Sequence, residues 1–253
     1  MTSTLDPVRL VEGLRAQTAA FARAVAGQAP EAPVPTCPGW SLRTLVGHLG
    51  EEHRWAAELV RTGQPLPAPD PARADPGPSA GWADWLHEGA EDLIHAVRNA
   101  GPDAPVHTFL GPRPAAFCLR RMVSDTCVHH YDAAAATGTA FDLPDDLAAD
   151  SVSETLDLLT TPALAAARPD LARLPGHGQR IGLRPRTAEG WVITRAPEAP
   201  RWERGPVEAD VVVSGSTPDL LLVLSRRLPA TDDRVTVTGD HALLHHWLAH
   251  TAL

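Results

Sequence analysis

The sequence predicts an α+β protein of two domains, an N-terminal four-helix bundle and a smaller C-terminal α/β domain of the sandwich type. Three observations support this prediction. The chain has 253 residues, of which 43% are hydrophobic, enough for two modest domains. Its first half carries apolar residues at helical spacing, whereas its second half changes to short, strand-like apolar runs. We place residues 1–145 in the bundle and residues 146–253 in the second domain.

Four helices are predicted in the first half. The first begins at Pro7, and the second follows Ser41, a residue type that commonly caps helix N-termini. The third ends near Ala100, and the fourth follows Pro114 and is closed by Gly138. Four helices joined by loops are typical of a bundle. The predicted helices cover residues 7–25, 42–60, 82–100 and 115–137.

The second half begins with a helical stretch over about residues 145–167. Strand-like segments follow, and the turn between the first two predicts a hairpin. A helix, a further strand and a final helix complete the predicted domain. In chain order these segments are residues 179–184, 190–195, 209–214, 217–227, 234–238 and 240–250.

Composition argues against several classes of function. All 22 basic residues are arginine, so lysine chemistry such as a Schiff base or a P-loop is excluded. The net charge of −9 and the absence of a basic tail argue against nucleic-acid binding. We find neither a membrane span nor a secretory signal, and three cysteines without a C-x-x-C motif indicate reduced thiols. We therefore expect a cytoplasmic protein with a small-molecule partner, and neither a nucleic acid nor a membrane.

The fourth helix carries a possible metal-binding face. Asp125, His129 and Asp132 are spaced at i, i+4 and i+7, so they share one side of a helix. Burying these groups together is costly unless they bind something or each other. A carboxylate and an imidazole four residues apart can hold a divalent metal in a bundle. An ordinary surface ion pair explains the same spacing and stays open at this point.

The second helix supplies a possible third ligand. His48 lies between two leucines, on the shoulder of the apolar stripe, where a core histidine bonded to a backbone carbonyl is the alternative. Glu52 and His53 compete with it, because a small rotation of the helix would turn them inward. Three protein ligands with an open fourth position are typical of a catalytic metal site. Such a metal lowers the pKa of a bound thiol or water.

The cysteines are weaker candidates for chemistry. Cys118 and Cys127 are best interpreted as small buried apolar residues, and Cys37 lies in the loop that enters the second helix. In the last helix, four histidines indicate either a second metal face or a solvated side. They are His241, His245, His246 and His250.

Two segments resemble the mycothiol-dependent maleylpyruvate isomerase family. Residues 36–50 read TCPGWSLRTLVGHLG and resemble the family's Cys-Pro-Gly-Trp segment followed by a helix with a histidine. Residues 121–133 read RMVSDTCVHHYDA and resemble its second signature, a carboxylate, three residues, His, two residues and Asp. The resemblance covers nearly the whole chain. It implies a DinB-like metal-binding bundle followed by a sterol-carrier-like domain.

The resemblance also implies a ligand set and a cofactor. His48, Asp125 and His129 would hold Zn²⁺ or another divalent metal, and mycothiol, the low-molecular-weight thiol of actinobacteria, would complete the coordination. An arginine of the C-terminal domain would assist the substrate and the cofactor. The apolar run before it assigns that role to Arg226, with Arg227 one step away; both arginines also suit carboxylate binding or the C-terminal end of a helix.

Two departures from the family bear on the reaction. The isomerase has Glu where this chain has Asp125, and His130 and Tyr131 replace the more usual residues after the second ligand. The leading hypothesis is therefore a metal- and thiol-dependent enzyme that acts on a small electrophilic substrate, by cis–trans isomerisation or S-transfer. One alternative is a non-catalytic or regulatory small-molecule-binding protein. Another is a hydrolase that uses metal-bound water, with Asp132 or His130 as base.

Overall fold

A computed structural model of the chain describes residues 5–108 and 110–251. These residues divide into two compact units, one of residues 5–143 and one that begins at Pro144. The first unit is mainly helical and the second contains helices and a five-stranded sheet, so the predicted two-domain α+β fold is confirmed. The bundle helices are α1 (Pro7–Val25), α2 (Leu42–Thr62), α3 (Trp82–Ala100) and α4 (Ala115–Thr137).

Local sequence signals set the ends of the bundle helices. The side chain of Asp6 caps α1, and the Ser41 hydroxyl accepts a hydrogen bond of 3.3 Å from the backbone N–H of Thr44 at the start of α2. Gly63 and Gly138 end α2 and α4 in the left-handed conformation, with φ of 65° and 69°. These caps explain why the helix bounds predicted from sequence agree closely with the observed ones.

The apolar faces of the four helices form the core of the N-terminal domain. Phe21, Leu45, Leu49 and Leu86 are fully buried in it, and each such side chain contributes roughly 1.5–3 kcal/mol relative to exposure. At Gly50, α2 approaches α3 so closely that a Cβ atom would collide with the indole of a neighbouring tryptophan. This packing fixes the rotation of α2 and therefore which of its polar side chains face inward.

A short hairpin that the sequence did not predict precedes α4. Strands β1 (Pro105–Thr108) and β2 (Gly111–Pro114) pair antiparallel, and the Thr108 hydroxyl donates a hydrogen bond of 2.8 Å to the Gly111 carbonyl. Three of the eight residues in these strands are prolines, which lack the N–H that a sheet ladder needs. Their composition therefore indicated a loop.

The elements of the C-terminal domain are α5 (Asp145–Leu159), α6 (Pro162–Ala167), β3 (Arg180–Pro185), β4 (Gly190–Arg195), β5 (Pro200–Gly205), β6 (Val211–Gly215), α7 (Thr217–Leu224), β7 (Thr236–Gly239) and α8 (His241–His250). The strands form one mixed sheet with the order β5-β4-β3-β6-β7. The predicted hairpin of β3 and β4 is confirmed, and β3 also pairs in parallel with β6. The indole N–H of Trp191 donates a hydrogen bond of 2.9 Å to the hydroxyl of Ser153, which joins α5 to the sheet.

Three predictions for this domain need correction. The helix predicted over residues 145–167 is two helices, because Pro162 begins a new one. Strand β5 was not predicted, since its residues alternate charged and apolar types without a hydrophobic run. Helix α7 ends at Leu224 instead of Arg227, because Arg226 is left-handed with φ of 63° and the Arg227 N–H donates back to the Leu222 carbonyl at 2.8 Å.

A helix that crosses a bilayer must be both long enough and apolar enough to span the hydrocarbon core. Across residues 5–108 and 110–251, no helix meets both requirements.

Candidate metal centre

Helices α2 and α4 bring three ligand-type side chains together inside the N-terminal domain. His48 comes from α2, and Asp125 and His129 come from successive turns of α4. One ligand atom from each residue lies within 4.8 Å of the other two. Nε2 of His129 is 3.7 Å from Oδ2 of Asp125, and the two imidazole rings stand at 89° with centroids 5.0 Å apart. The three residues predicted as metal ligands therefore lie together.

Two atoms of this cluster are buried without a hydrogen-bond partner. They are Nδ1 of His48 and Oδ2 of Asp125. Leaving a buried polar atom unsatisfied costs about 1–3 kcal/mol, so two such atoms in one cluster of ligand-type residues favour a site for a bound group. Two imidazole nitrogens and a carboxylate oxygen are a donor set that suits Zn²⁺ and related divalent metals. The residues present therefore fit the metal that the resemblance implies.

Asp125 keeps its charge although it is deeply placed. Burial raises its pKa, but His129, Arg121 and His48 together lower it to about 2. Arg121 donates a hydrogen bond of 2.7 Å to Oδ1, which leaves Oδ2 turned toward the cluster. The residue is therefore an ionised carboxylate with one oxygen held in place and the other available as a ligand.

The two histidines of the cluster differ in charge: one is neutral and the other is protonated. Burial and the neighbouring His129 lower the pKa of His48 to about 4, so His48 is neutral. Burial also acts to lower the pKa of His129, but Asp125 and Asp132 raise it to about 10. In the metal-free protein His129 is therefore an imidazolium, and a metal must displace a proton from it to bind.

Asp132 lies behind His129, on the side away from Asp125. Its Oδ2 accepts a hydrogen bond of 2.8 Å from Nδ1 of His129, and its side chain is completely buried. Metal-ligating histidines almost always donate their second ring N–H to such a carboxylate, which fixes the tautomer and the ring orientation. Asp132, predicted as a catalytic residue, is therefore placed to orient His129.

The loop before α2 supplies two more neighbours that the sequence analysis did not assign to the site. The Cys37 thiol donates a hydrogen bond of 3.3 Å to Oδ2 of Asp132. The half-buried Trp40 ring packs edge-on against His48 at 4.9 Å between centroids and stacks on His129 at 6.1 Å. Position in the chain was the signal available, because Trp40 immediately precedes Ser41, the cap of the helix that carries His48, and Cys37 lies three residues before Trp40.

Glu52 and His53, the competing residues on α2, do not join the cluster. Burial and the Asp125 charge raise the pKa of Glu52 to about 7, and its Oε1 lies 4.0 Å from Nδ1 of His48, at the margin of the site. His53 is fully buried, and its Nε2 is 2.9 Å from the hydroxyl of Thr126. Because that hydroxyl donates to a backbone carbonyl, it accepts from Nε2 of His53, so His53 is a core histidine with one ring nitrogen bonded and Nδ1 buried without a hydrogen-bond partner.

His130, predicted as a catalytic residue, does not lie in the cluster. Its Nδ1 is 2.8 Å from Oε1 of Gln17 on α1, and its ring packs against Phe141 with centroids 5.0 Å apart. Burial lowers its pKa to about 4, so it is a neutral packing residue. The next position on a helix turns by about 100°, which is why His129 and its neighbour face different helices.

The predicted arginines occupy the end of α7 in the C-terminal domain. Arg226 is exposed in the left-handed turn, whereas Arg227 is half-buried and its Nη1 donates a hydrogen bond of 3.0 Å to the Ser225 carbonyl. The turn therefore gives the two arginines different environments, and Arg226 stands where a helix end favours glycine.

The N-terminal domain matches a known sequence family. Residues 11–134 match the family described as mycothiol maleylpyruvate isomerase N-terminal domain. The N-terminal domain belongs to this family. The matched segment contains the three clustered residues and the Cys-Pro-Gly-Trp loop, so the family suspected from these motifs is confirmed.

Two solved structures are similar to the chain over nearly its whole length. A crystal structure of the mycothiol-dependent maleylpyruvate isomerase has a TM-score of 0.63 and 18% sequence identity, covering 94% of this chain and 96% of that chain. A histidine-to-alanine mutant of the isomerase has a TM-score of 0.62 and 17% identity at the same coverage. These likenesses show the two-domain fold. No curated protein sequence matches the chain.

Proposed function

We propose that this chain is a metal- and thiol-dependent enzyme that acts on a small electrophilic substrate. One observation carries the proposal: three ligand-type side chains converge inside the bundle, and two of their ligand atoms are buried without partners. None of the three is a cysteine, so an external thiol can occupy an open coordination position. The family name and the fold both support mycothiol as that thiol.

The metal ligands in this proposal are His48, Asp125 and His129. Zn²⁺ suits two imidazoles and a carboxylate with one position left open. When bound, such a metal supplies a lowered pKa for a coordinated thiol, which makes a nucleophilic thiolate available at neutral pH. The residues of the chain hold this arrangement: Arg121 fixes Oδ1 of Asp125, and Asp132 retains the proton on Nδ1 of His129.

The surroundings of the cluster favour thiolate chemistry over hydrolysis by metal-bound water. The hydrolase alternative needs a free base, and Asp132 and His130 were its candidates. Asp132 accepts hydrogen bonds from His129 and Cys37, and His130 is bonded to Gln17. Both candidates are thus engaged in positioning or packing.

An arginine at the end of α7 completes the proposal. We assign the contact with a substrate or cofactor carboxylate to Arg226 or Arg227, the two residues selected from sequence, since a guanidinium binds carboxylates through two parallel hydrogen bonds. Replacing each arginine by Gln in turn distinguishes their roles. Loss of the arginine that binds the substrate should raise the KM.

The first experiment measures metal content by elemental analysis of the protein purified without chelator. We expect about one divalent metal per chain in the wild type and in His95→Ala, a control at an exposed histidine of the same domain. His48→Ala and His129→Ala should lose it. A metal-free wild type contradicts the proposal and favours the non-catalytic binding protein.

The second experiment tests the thiol. Cobalt-substituted protein should develop a thiolate-to-metal charge-transfer absorption when mycothiol is added, and S-methyl mycothiol should not produce it. Mass spectrometry of a cis-α,β-unsaturated acid incubated with the loaded enzyme then distinguishes isomerisation, with no mass change, from S-transfer, with a stable adduct. Full activity in the absence of any low-molecular-weight thiol contradicts the assignment.

A further inference from the structure

The two ring nitrogens of His129 face two different sets of residues. Nε2 points toward the cluster with Asp125, and Nδ1 donates to Asp132. The same oxygen of Asp132, Oδ2, also accepts the hydrogen bond from the Cys37 thiol. A chain of contacts therefore runs from the loop before α2, through one buried carboxylate, to a proposed metal ligand on α4.

The loop that carries Cys37 is closed by its own backbone. The Cys37 N–H donates to the Val34 carbonyl, the Trp40 N–H donates to the Cys37 carbonyl, and the Val34 N–H donates to the Trp40 carbonyl, each at 3.0 Å. The thiol and the indole are therefore held as one unit. The indole stacks on the His129 ring while the thiol reaches the carboxylate behind it.

The burial of Asp132 makes its hydrogen bond with the Cys37 thiol important. Asp132 is fully buried, and a buried carboxylate needs hydrogen-bond donors to offset its lost hydration. A thiol is a weak donor in water, but in a poorly hydrated interior the same contact is electrostatically stronger. The Cys37 thiol thus helps to fix the position of the oxygen that holds the His129 proton.

We infer that Cys37 is a positioning residue for the metal centre. Through Asp132, its thiol keeps the His129 imidazole protonated at Nδ1 and turned so that Nε2 is available to the metal. The inference rests on the proposed function, because it requires His129 to be a ligand. It gives the Cys-Pro-Gly-Trp segment a physical role that its sequence did not reveal.

The test compares Zn²⁺ affinity, measured by competition with a chromogenic chelator, among full-length variants. Cys37→Ala should weaken binding about threefold to tenfold, the effect of one hydrogen bond. Cys37→Ser retains a donor and should restore the wild-type affinity. Cys118→Ala removes a buried thiol two turns before Asp125 and should leave the affinity unchanged. Thermal unfolding of each variant verifies that it is folded.

A double-mutant cycle shows whether the thiol acts through Asp132. Asp132→Ala should weaken Zn²⁺ binding about 10- to 100-fold, as is usual for the partner of a ligating histidine. In that background Cys37→Ala should cost nothing further if the thiol acts through Asp132, because its hydrogen bond to that carboxylate is already lost. Additive losses would mean that the sulfur acts directly on the metal or only through packing, which overturns the inference.

The outcomes also separate this inference from the proposed function. If the wild type binds Zn²⁺ and Cys37→Ala binds it equally well, the positioning role is wrong while the metal centre stands. Equal losses in Cys37→Ala and Cys37→Ser reject the hydrogen bond as the cause. If the wild type binds no Zn²⁺, the proposed function itself fails. ¹⁵N spectra of labelled histidine provide a readout independent of affinity, since the Nδ1 proton of His129 should exchange faster in Cys37→Ala.

Discussion

Helices α4 and α8 both carry ligand-type side chains at helical spacing, yet of the two only α4 contributes to a candidate site. His129 on α4 meets His48 from α2, and the ligand atoms of the two converge with Asp125. On α8, Nε2 of His246 lies 3.0 Å from the Arg173 carbonyl. The neighbouring His250 bonds through Nδ1 to a carbonyl of its own helix at 2.7 Å.

The two helices differ because α2 packs against α4 and adds a ligand-type residue, His48, to those of α4. Within the described residues, no set of three ligand atoms forms around the histidines of α8. The partners of its histidines are backbone carbonyls and the Arg195 guanidinium. The second metal face considered for α8 is therefore not formed, and spacing on one helix indicates a site only when another helix supplies the remaining ligand.

The largest effect should come from removing His129, the proposed metal ligand on α4. His129→Ala should lower divalent-metal affinity by more than about 100-fold, since loss of a ligand exceeds loss of an outer-shell partner. Chelator competition measures this, and the same change at His246 on α8 should have no effect on affinity. Equal losses at the two positions would remove the distinction between the helices.

The second effect is a dependence of metal affinity on pH. His129 has a pKa of about 10 in the metal-free site, whereas His48 is neutral and Asp125 is ionised. Below that pKa a binding metal must displace one proton, so apparent affinity should rise about tenfold for each pH unit between about pH 6 and pH 8. Chelator competition at several pH values measures the slope. A flat profile would contradict the charged state assigned to His129.

The third effect concerns the contribution of α8 to the stability of the protein. His246→Ala should reduce the free energy of unfolding by about 1 kcal/mol, because the contact with the Arg173 carbonyl is lost. Urea denaturation measures the change, and metal content should stay at the wild-type value. A parallel loss of metal would show that α8 takes part in metal binding after all.

The smallest effect on stability should come from changing the residue that ends α7, with the end of α4 as the comparison. Helix α4 ends on Gly138 in the left-handed conformation, and α7 ends on Arg226 in the same conformation. Arg226→Gly should stabilise the chain by about 0.5–1 kcal/mol by relieving the Cβ cost of that conformation. Unchanged or lower stability in urea denaturation would mean that contacts of the arginine side chain outweigh the backbone cost. Kinetics of the same variant show whether Arg226 is needed for activity.

Much of the bundle was predictable because its signals are local. Ser41 caps α2, Gly138 closes α4, and apolar spacing defines each helix. The hairpin β1–β2 and strand β5 were missed because their stability comes from pairing with the neighbouring strand, while their own composition indicates loops. The end of α7 was misplaced because an arginine occupies a turn that usually takes glycine.

The sequence by itself determined which residues were candidates. The i, i+4, i+7 spacing placed Asp125, His129 and Asp132 on one side of a helix, and the apolar shoulder placed His48 near a core. Periodicity is a property of a single helix, so the sequence was able to specify these faces without knowledge of any partner helix.

Only the tertiary structure decided what each candidate does. The rotation of α2 brought His48 to the cluster and gave His53 to the core, and the same carboxylate that looked like a base became the partner of His129. The loop before α2 placed Cys37 against that carboxylate from 95 residues away. Such contacts depend on how helices pack against one another, and packing is set by the whole set of buried side chains, which no local spacing encodes.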